Sequence, residues 1–427
     1  GGDNFNSDQA SWAEAKATLT DGTEAWLGDL PIVAAERAPH STEPPFAFQY
    51  NGQPSASLLK TWPRTHTTRA LDDSRQEHTL TWRDPQTALE IRCVAVEYRD
   101  FPTVEWTLWF KNIGSTDTPV LSDIQGLDTT LERGDSSEFV LHHHKGTFVR
   151  ADDFEPLTTV LKPRMEQRFA PPGGRPLGAV FPYFNLDWSG QGVVLAIGWP
   201  GQWAVQFRRD QGIALRVSAG QELTRLRLRP GEEVRSPLIV LQFWSGDWIR
   251  AQNVWRRWTI THNLPRREGQ LPPPMLPAVS GNQFPGLLCN ETDEIRYIDR
   301  YIEERIPITH WWMDAGWYQN RGDWTTTGTW EIDPNRFPRG LRHISDYAHA
   351  KGLKLIVWFE PERVTAGSWL AEQHPEWRHD DVGYKGGDDF TEGSADDNAD
   401  GQIEHIALDC EFFEFTPEFL HRISPFR

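Results

Sequence analysis

Between about residues 46 and 245 the side chains alternate in character with a period of two. In 104–110, Val104, Trp106, Leu108 and Phe110 fall on one face, and Glu105, Thr107 and Trp109 on the other. That pattern predicts half-buried strands. Trp203, Val205 and Phe207 alternate with Ala204, Gln206 and Arg208, and Leu226 and Leu228 with Arg225, Arg227 and Arg229. Turn-forming residues at 185–187, Ser189-Gly190 and Pro230-Gly231 separate the runs. Many short strands with no helix between them predict a large antiparallel sandwich.

Near residue 250 the period changes. Residues 252–260 can form a short helix, and Leu271-Pro272-Pro273-Pro274 is a stiff connector, because consecutive prolines fix φ and remove donors. Beyond it, strands alternate with helices. Residues 275–280 read as a buried strand, and Ile295, Ile298, Tyr301 and Ile302 share a helical face. A second strand covers 308–313. Leu341, Ile344, Tyr347 and Ala348 mark another helix, ended by Lys351-Gly352, and 353–359 is a third strand. That rhythm predicts a parallel sheet or barrel. The expected organisation is an N-terminal segment 1–45, a β-domain 46–250, a helical and proline linker 251–274, an α/β region 275–377 and an atypical acidic tail 378–427.

Composition then narrows the function. The chain of 427 residues carries 43 basic and 61 acidic side chains, a net charge of −18. Such a chain is poorly suited to binding nucleic-acid phosphates or an anionic membrane. No run of about 18 uninterrupted apolar residues predicts a membrane span. Cys93, Cys289 and Cys410 are too few and too far apart for a disulfide framework or a zinc site. The 21 Trp against 8 Tyr are unusual. An indole can serve as core filling or cover the apolar face of a sugar ring, so position must decide.

Position favours a site. In α/β barrels ligand groups sit at the C-terminal ends of the strands. Here the second strand runs into Asp314 and Trp317, and the third into Trp358, Glu360 and Arg363. A helix cap at Asp314 or a Glu360–Arg363 ion pair would explain either cluster alone. Both clusters together, at equivalent strand ends, point to a carbohydrate pocket.

Three segments, Trp312-Met313-Asp314-Ala315-Gly316-Trp317-Tyr318, Gly328-Thr329-Trp330-Glu331-Ile332-Asp333-Pro334-Asn335-Arg336-Phe337-Pro338-Arg339-Gly340-Leu341 and Lys351-Gly352-Leu353-Lys354-Leu355-Ile356-Val357-Trp358-Phe359-Glu360-Pro361-Glu362-Arg363-Val364, resemble the α-galactosidases (melibiases) of glycoside hydrolase family 36. Upstream, Gly198-Trp199-Pro200-Gly201-Gln202-Trp203 and Pro230-Gly231-Glu232-Glu233-Val234-Arg235-Ser236-Pro237 are similar to that family's N-terminal β-supersandwich, and 253–265 to its linker. The resemblance runs from about residue 45 to 377. It implies a β-supersandwich followed by a (β/α)8 barrel, and retaining hydrolysis of terminal α-D-galactosides through a covalent glycosyl-enzyme intermediate. Two carboxyl groups would lie roughly 5–5.5 Å apart across the scissile bond. Neither metal nor organic cofactor is implied. The implied partner is an α-galactoside oligosaccharide, with a homo-oligomer assembled through the β-domain.

By the same resemblance, Asp314 would hold hydroxyls of the terminal galactose and Trp358 would form a pocket wall. Trp317 would shape the adjoining loop, and Glu360 and Arg363 would support the charge network. Ala315 stands where the family carries a second Asp, which implies an altered set of hydroxyl contacts. The family's nucleophile follows barrel strand four and its acid a later strand. From Leu276 onward the chain is shorter than the about 250 residues of a full barrel, so a partial barrel is expected. Residues 403–409 offer a fourth strand ending in Asp409, but no helix precedes it, and the catalytic pair is left unassigned. The expectation is a chain cut short or frame-shifted near 378, weakly active or inactive as it stands. The rival readings are an α-galactosyl transferase of the raffinose-synthase type, a non-catalytic carbohydrate-binding module and a gene fragment without function.

Weaker signals have plainer readings. Asp396, Asn398, Asp400 and Gly401 match the first half of a calcium loop, but Ala407 stands where a bidentate Glu is required. The 380–400 stretch reads as a solvated acidic loop. His142-His143-His144 reads as a run on an edge strand rather than a metal site. Asn290-Glu291-Thr292 is a glycosylation sequon, meaningful only in a eukaryotic secretory pathway.

Overall fold

The computed structural model describes residues 16–18, 21, 23–26, 44–134, 137–147, 150–172, 175–280, 286–320, 322, 328–359, 363–375 and 403–405. The chain divides into two compact units, Gly1–Leu264 and Pro265–Arg427.

The first unit is built on two antiparallel sheets, one of ten strands and one of seven. Period-two alternation drives their packing. In Thr103–Asn112, Trp106, Leu108 and Phe110 are buried while Glu105, Thr107 and Trp109 are only partly so. Residues from both sheets interdigitate in one core. Phe48 of the smaller sheet meets Phe110 of the larger edge-on at 5.4 Å, and Trp203 meets Phe184 at 6.1 Å. Edge-on aromatic pairs of this kind add to what area burial supplies.

Two local expectations for this unit are corrected. Residues 185–187 are not a turn; they lie inside the strand Tyr183–Trp188, whose hairpin to Gln191–Gly198 turns at Ser189 and Gly190, both with positive φ. Asn185 is tolerated in the strand because its Oδ1 accepts a hydrogen bond from the Trp244 indole at 2.9 Å. The histidine run is not at an edge either. Phe139–His144 is covered by Pro156–Leu161 on one side and by Tyr183–Trp188 on the other. Its side chains do alternate between faces: His143 packs on Phe169, and His142 stacks on Trp248 at 4.0 Å.

The helix Trp248–Trp258 starts earlier than its pattern predicts, because Asp247 caps it by accepting the amide of Ile249 at 2.9 Å. Its buried residues Ala251, Val254 and Trp258 pack against Tyr98, Val240 and Tyr183 of the larger sheet and Phe101 of the turn after Tyr98. A π-helical turn, Thr259–Asn263, ends it.

In the second unit three strands are parallel: β1 (Pro277–Val279), β2 (His310–Met313) and β3 (Lys354–Val357), in that spatial order. Helix α1 (Glu291–Glu303) separates β1 from β2, and α2 (Gly340–Ala350) separates β2 from β3. Asn290 caps α1 in a reciprocal capping box with Asp293, so the sequon asparagine spends its side-chain oxygen on the amides of Thr292 and Asp293. Leu341, Ile344 and Ala348 line the buried face of α2, as their spacing predicts. On α1 the buried stripe differs from the apolar one: Glu291, Glu294 and Ile298 point inward, whereas Ile302 is exposed. Residues 403–405 do not extend the parallel sheet. They pair antiparallel with Arg363–Thr365, and Asp409 lies outside the described residues. So do the acidic stretch 380–400 and the half calcium loop. No described helix is long and apolar enough to cross a membrane.

Candidate active site at the ends of the parallel strands

The parallel register fixes which side chains share a face. Trp311 pairs with Leu355 and Ala278, and Trp312 with Ile356 and Val279. Trp311 and Met313 are buried in the cluster formed with α1 and α2. Alternation therefore puts Trp312 and Asp314 on the opposite face, with Ile356 and Trp358 beside them. The amide of Trp358 donates to the carbonyl of Met313 at 3.0 Å, which carries the pairing of β2 and β3 one step past their ends. Asp314 and Trp358 thus emerge side by side at the C-terminal rim. Ser280, Asp314 and Trp358 follow the tips of the three strands, and of these Asp314 carries the charge.

Asp314 is partly buried, and its Oδ1 accepts the amide of Ala315 at 2.7 Å. The loop then turns at Gly316, whose φ of +106° is open to glycine and strained for other residues. A side chain there would also meet the carbonyl oxygen of Leu287 at 2.6 Å. Trp317 follows, only 2% exposed. Its indole N–H donates to the carbonyl of Trp358 at 2.9 Å. Trp317 therefore ties the loop after β2 to the end of β3.

An aromatic cluster backs the rim. Trp330 lies 4.9 Å from Tyr318, 5.5 Å from Phe359, 6.0 Å from Trp358 and 6.2 Å from Trp317, ring centre to ring centre. Its φ of +48° is unusual for so bulky a residue. Segment 317–319 is stitched to 331–333 by the amide of Gln319 donating to Glu331 and that of Asp333 donating to Trp317. The sequence pattern singles out neither Trp330 nor Arg336 as a site residue, although both sit within a segment that carries the family resemblance.

Beneath the rim, at the contact of α1 with β2, lies Glu294, 2% exposed. It accepts the Trp311 indole N–H at 2.8 Å and a hydrogen bond from Ser280. Burial raises its carboxyl to about 7, against the lowering effect of those two donors, and Asp293 raises it further.

Glu360 lies outside the described residues. Arg363 opens the strand Arg363–Thr365, but its side chain also lies outside them. The structure thus brings together Asp314, Trp317 and Trp358 from the expected set. Among the described residues no group of three or more His, Cys, Asp or Glu is arranged to hold a metal.

Residues 291–386 match the family model described as Melibiase. Alpha-galactosidase Mel36A of Lactobacillus acidophilus is 26% identical over 207 residues, which are 47% of this chain and 28% of that protein. Alpha-galactosidase 1 of Pediococcus pentosaceus is 37% identical over 75 residues, 17% of this chain and 10% of its own length. Among solved structures, the GH36 α-galactosidase AgaA of Geobacillus stearothermophilus superposes with a TM-score of 0.63 at 18% identity, over 80% of this chain and 49% of its own. A variant of AgaA has been crystallised with raffinose and another with stachyose. The chain matches about half the length of these structures and little over a quarter of the Lactobacillus protein. At this identity the structural likeness establishes the fold: an N-terminal β-supersandwich followed by part of a (β/α)8 barrel.

Proposed function

We propose that this chain, a relative of the melibiases and α-galactosidases of glycoside hydrolase family 36, is the sandwich and early-barrel portion of a retaining α-galactosidase. The observation that carries the reading is the pairing of Asp314 with Trp358 at adjacent strand ends, with Trp317 bracing the wall. A carboxylate at that point can accept hydrogen bonds from two vicinal hydroxyls of a terminal galactose. An indole beside it can cover the apolar C–H face of the same ring. Charge-assisted hydrogen bonds are the stronger kind, and they fix the ring's orientation.

In this reading Asp314 binds and orients, and Trp358 walls the pocket. Trp317 acts through Trp358. Glu360 and Arg363 complete the charge network. The nucleophile and the general acid are not assigned to residues of this chain. The chemistry they would perform is attack on the anomeric carbon, protonation of the leaving oxygen, and then hydrolysis of the glycosyl-enzyme by water activated by the second carboxyl. The substrates proposed are α-galactoside oligosaccharides such as those bound by the AgaA variants. The sandwich would occupy about 46–250, the linker 251–274 and the barrel portion 275–377, with copies assembling through the sandwich.

Calorimetry with galactose and raffinose, alongside a time course of released galactose, tests the reading. Saturable galactose binding supports it, with little or no galactose released by this chain, to which neither catalytic carboxyl is assigned. New oligosaccharide in place of free galactose would indicate transfer rather than hydrolysis. No binding at all would sink the reading.

A further inference from the structure

The side chain that ties the rim together is Arg336, in the loop ahead of α2. Its Nε donates to Asp333 Oδ2 at 2.8 Å. Nη1 donates to the carbonyls of Leu287 at 3.0 Å and Cys289 at 2.9 Å, and Nη2 to the carbonyl of Tyr318 at 2.7 Å. One guanidinium thus joins three chain segments: the turn between β1 and α1, the loop after β2, and its own loop. Its side chain is 14% exposed. The carbonyls it serves lie in the short 3-10 turn Gly286–Leu288, just after it at Cys289, and at the isolated β-bridge of Tyr318 with Ile332, so the guanidinium supplies donors where no continuous sheet or helix runs.

We propose that Arg336 is the positioning residue of the Asp314 rim. Tyr318 lies four residues past Asp314, and the loop between them is pressed against the same Leu287 that Arg336 holds, through Gly316. Asn320 reinforces the contact by reaching the carbonyls of Leu287, Gly316 and Tyr318. With the guanidinium in place, the Asp314 loop has one position relative to the turn ahead of α1. Without it, the carbonyl of Cys289 loses the guanidinium, those of Leu287 and Tyr318 are left to Asn320, and the loop can shift. A shift on the order of 1 Å in a binding carboxylate is enough to cost up to about a hundredfold in a binding or catalytic constant. The planar fork matters as well as the charge. A lysine at 336 could keep the pair with Asp333 but not reach two further segments at once.

This inference rests on the α-galactoside reading for its ligand, and one arm of the test is free of that reading. Hydrogen exchange is followed in peptides spanning 313–320 for wild type, R336A and R336K, with and without guanidinium ion at non-denaturing millimolar concentration. Galactose affinity is measured in the same samples. The expected result is faster exchange at 313–320 in both variants, with exchange in the sandwich unchanged. Added guanidinium should slow it again in R336A. Galactose affinity should fall about tenfold or more and recover with the ion. A general loss of packing would not be reversed by a small cation. Unchanged exchange at 313–320 in R336K would overturn the proposal, as would wild-type affinity in R336A. If wild type binds no galactose but the exchange at 313–320 responds as described, the carbohydrate reading falls and the clasp stands.

Discussion

The indole N–H of Trp317 donates to the carbonyl of Trp358 at 2.9 Å, so the loop after β2 holds the end of β3. Trp317 is 2% exposed and Trp358 is partly buried. Replacing Trp317 by Phe keeps an aromatic ring and deletes the donor. The carbonyl of Trp358 is then left without it, at a cost of about 1–3 kcal/mol in stability of the second unit. We expect urea unfolding to show that loss, and galactose affinity to fall if Trp358 walls the site as proposed. Wild-type stability and affinity together in W317F would remove Trp317 from the account.

Gly316 gives a sharper steric test. Its φ of +106° strains any other residue, and an added Cβ would meet the backbone oxygen of Leu287 at 2.6 Å. Backbone atoms there cannot move aside as a flexible side chain could. G316A should therefore displace the Asp314 loop and destabilise the second unit by about 1–3 kcal/mol. G231A is the control. Its glycine also has a positive φ, but nothing lies within 4 Å of the added Cβ. Equal effects of the two changes on galactose binding would show that strain alone, without the Leu287 contact, accounts for the result.

How much of this could be seen in the amino-acid sequence depended on whether a residue's partner was close in the chain. The strand 103–112 and helix α2 were legible because their buried faces repeat with a fixed period. Asp314 and Trp358 were legible as a pair because each directly follows an apolar run. Asn185 was misread as a turn residue because the Trp244 indole that satisfies it lies 59 residues away. The inward face of α1 was legible only in part: Ile298 is buried and Tyr301 packs on Trp311, as the apolar stripe predicts, but Ile302 is exposed. Glu294, held by Trp311 and Ser280, is a buried carboxylate that the apolar pattern did not place on the inward face. Arg336 left no periodic signal at all, since its acceptors at Tyr318, Cys289 and Leu287 are backbone carbonyls 18 to 49 residues distant.

Asp314 to Asn separates binding from folding. The amide oxygen of Asn can still accept the hydrogen bond from the backbone N–H of Ala315, which Asp314 accepts at 2.7 Å. Stability should therefore stay within about 0.5 kcal/mol of wild type. The charge-assisted bonds to sugar hydroxyls would be lost, each worth about 1.5–3 kcal/mol. A tenfold or greater loss of galactose affinity is expected, roughly 1.4 kcal/mol. Unchanged affinity in a folded D314N protein would take the carboxylate out of the proposed site.

Glu294 makes stability depend on pH in a direction opposite to that of a salt-bridged carboxylate. Its carboxyl is raised to about 7 in the folded chain, chiefly by burial, and returns to the ordinary carboxylate range on unfolding. The folded state therefore binds this proton more tightly than the unfolded state. Below the unfolded value both states are protonated and Glu294 costs nothing. As pH rises from about 4.5 towards 7, the unfolded chain releases its proton first, and stability falls by an amount on the order of 3 kcal/mol. Above the folded value the loss is complete and constant. The amide in E294Q can still accept the Trp311 indole N–H without taking a charge into the interior. The variant should match wild type near pH 4.5 and exceed it at pH 8. Because many other groups titrate in a chain with 61 acidic side chains, the quantity to measure is the difference between variant and wild type. Urea unfolding of both proteins across that range gives it directly. A difference that does not change with pH would mean that Glu294 binds its proton equally in the folded and unfolded chain, and that burial does not raise its carboxyl.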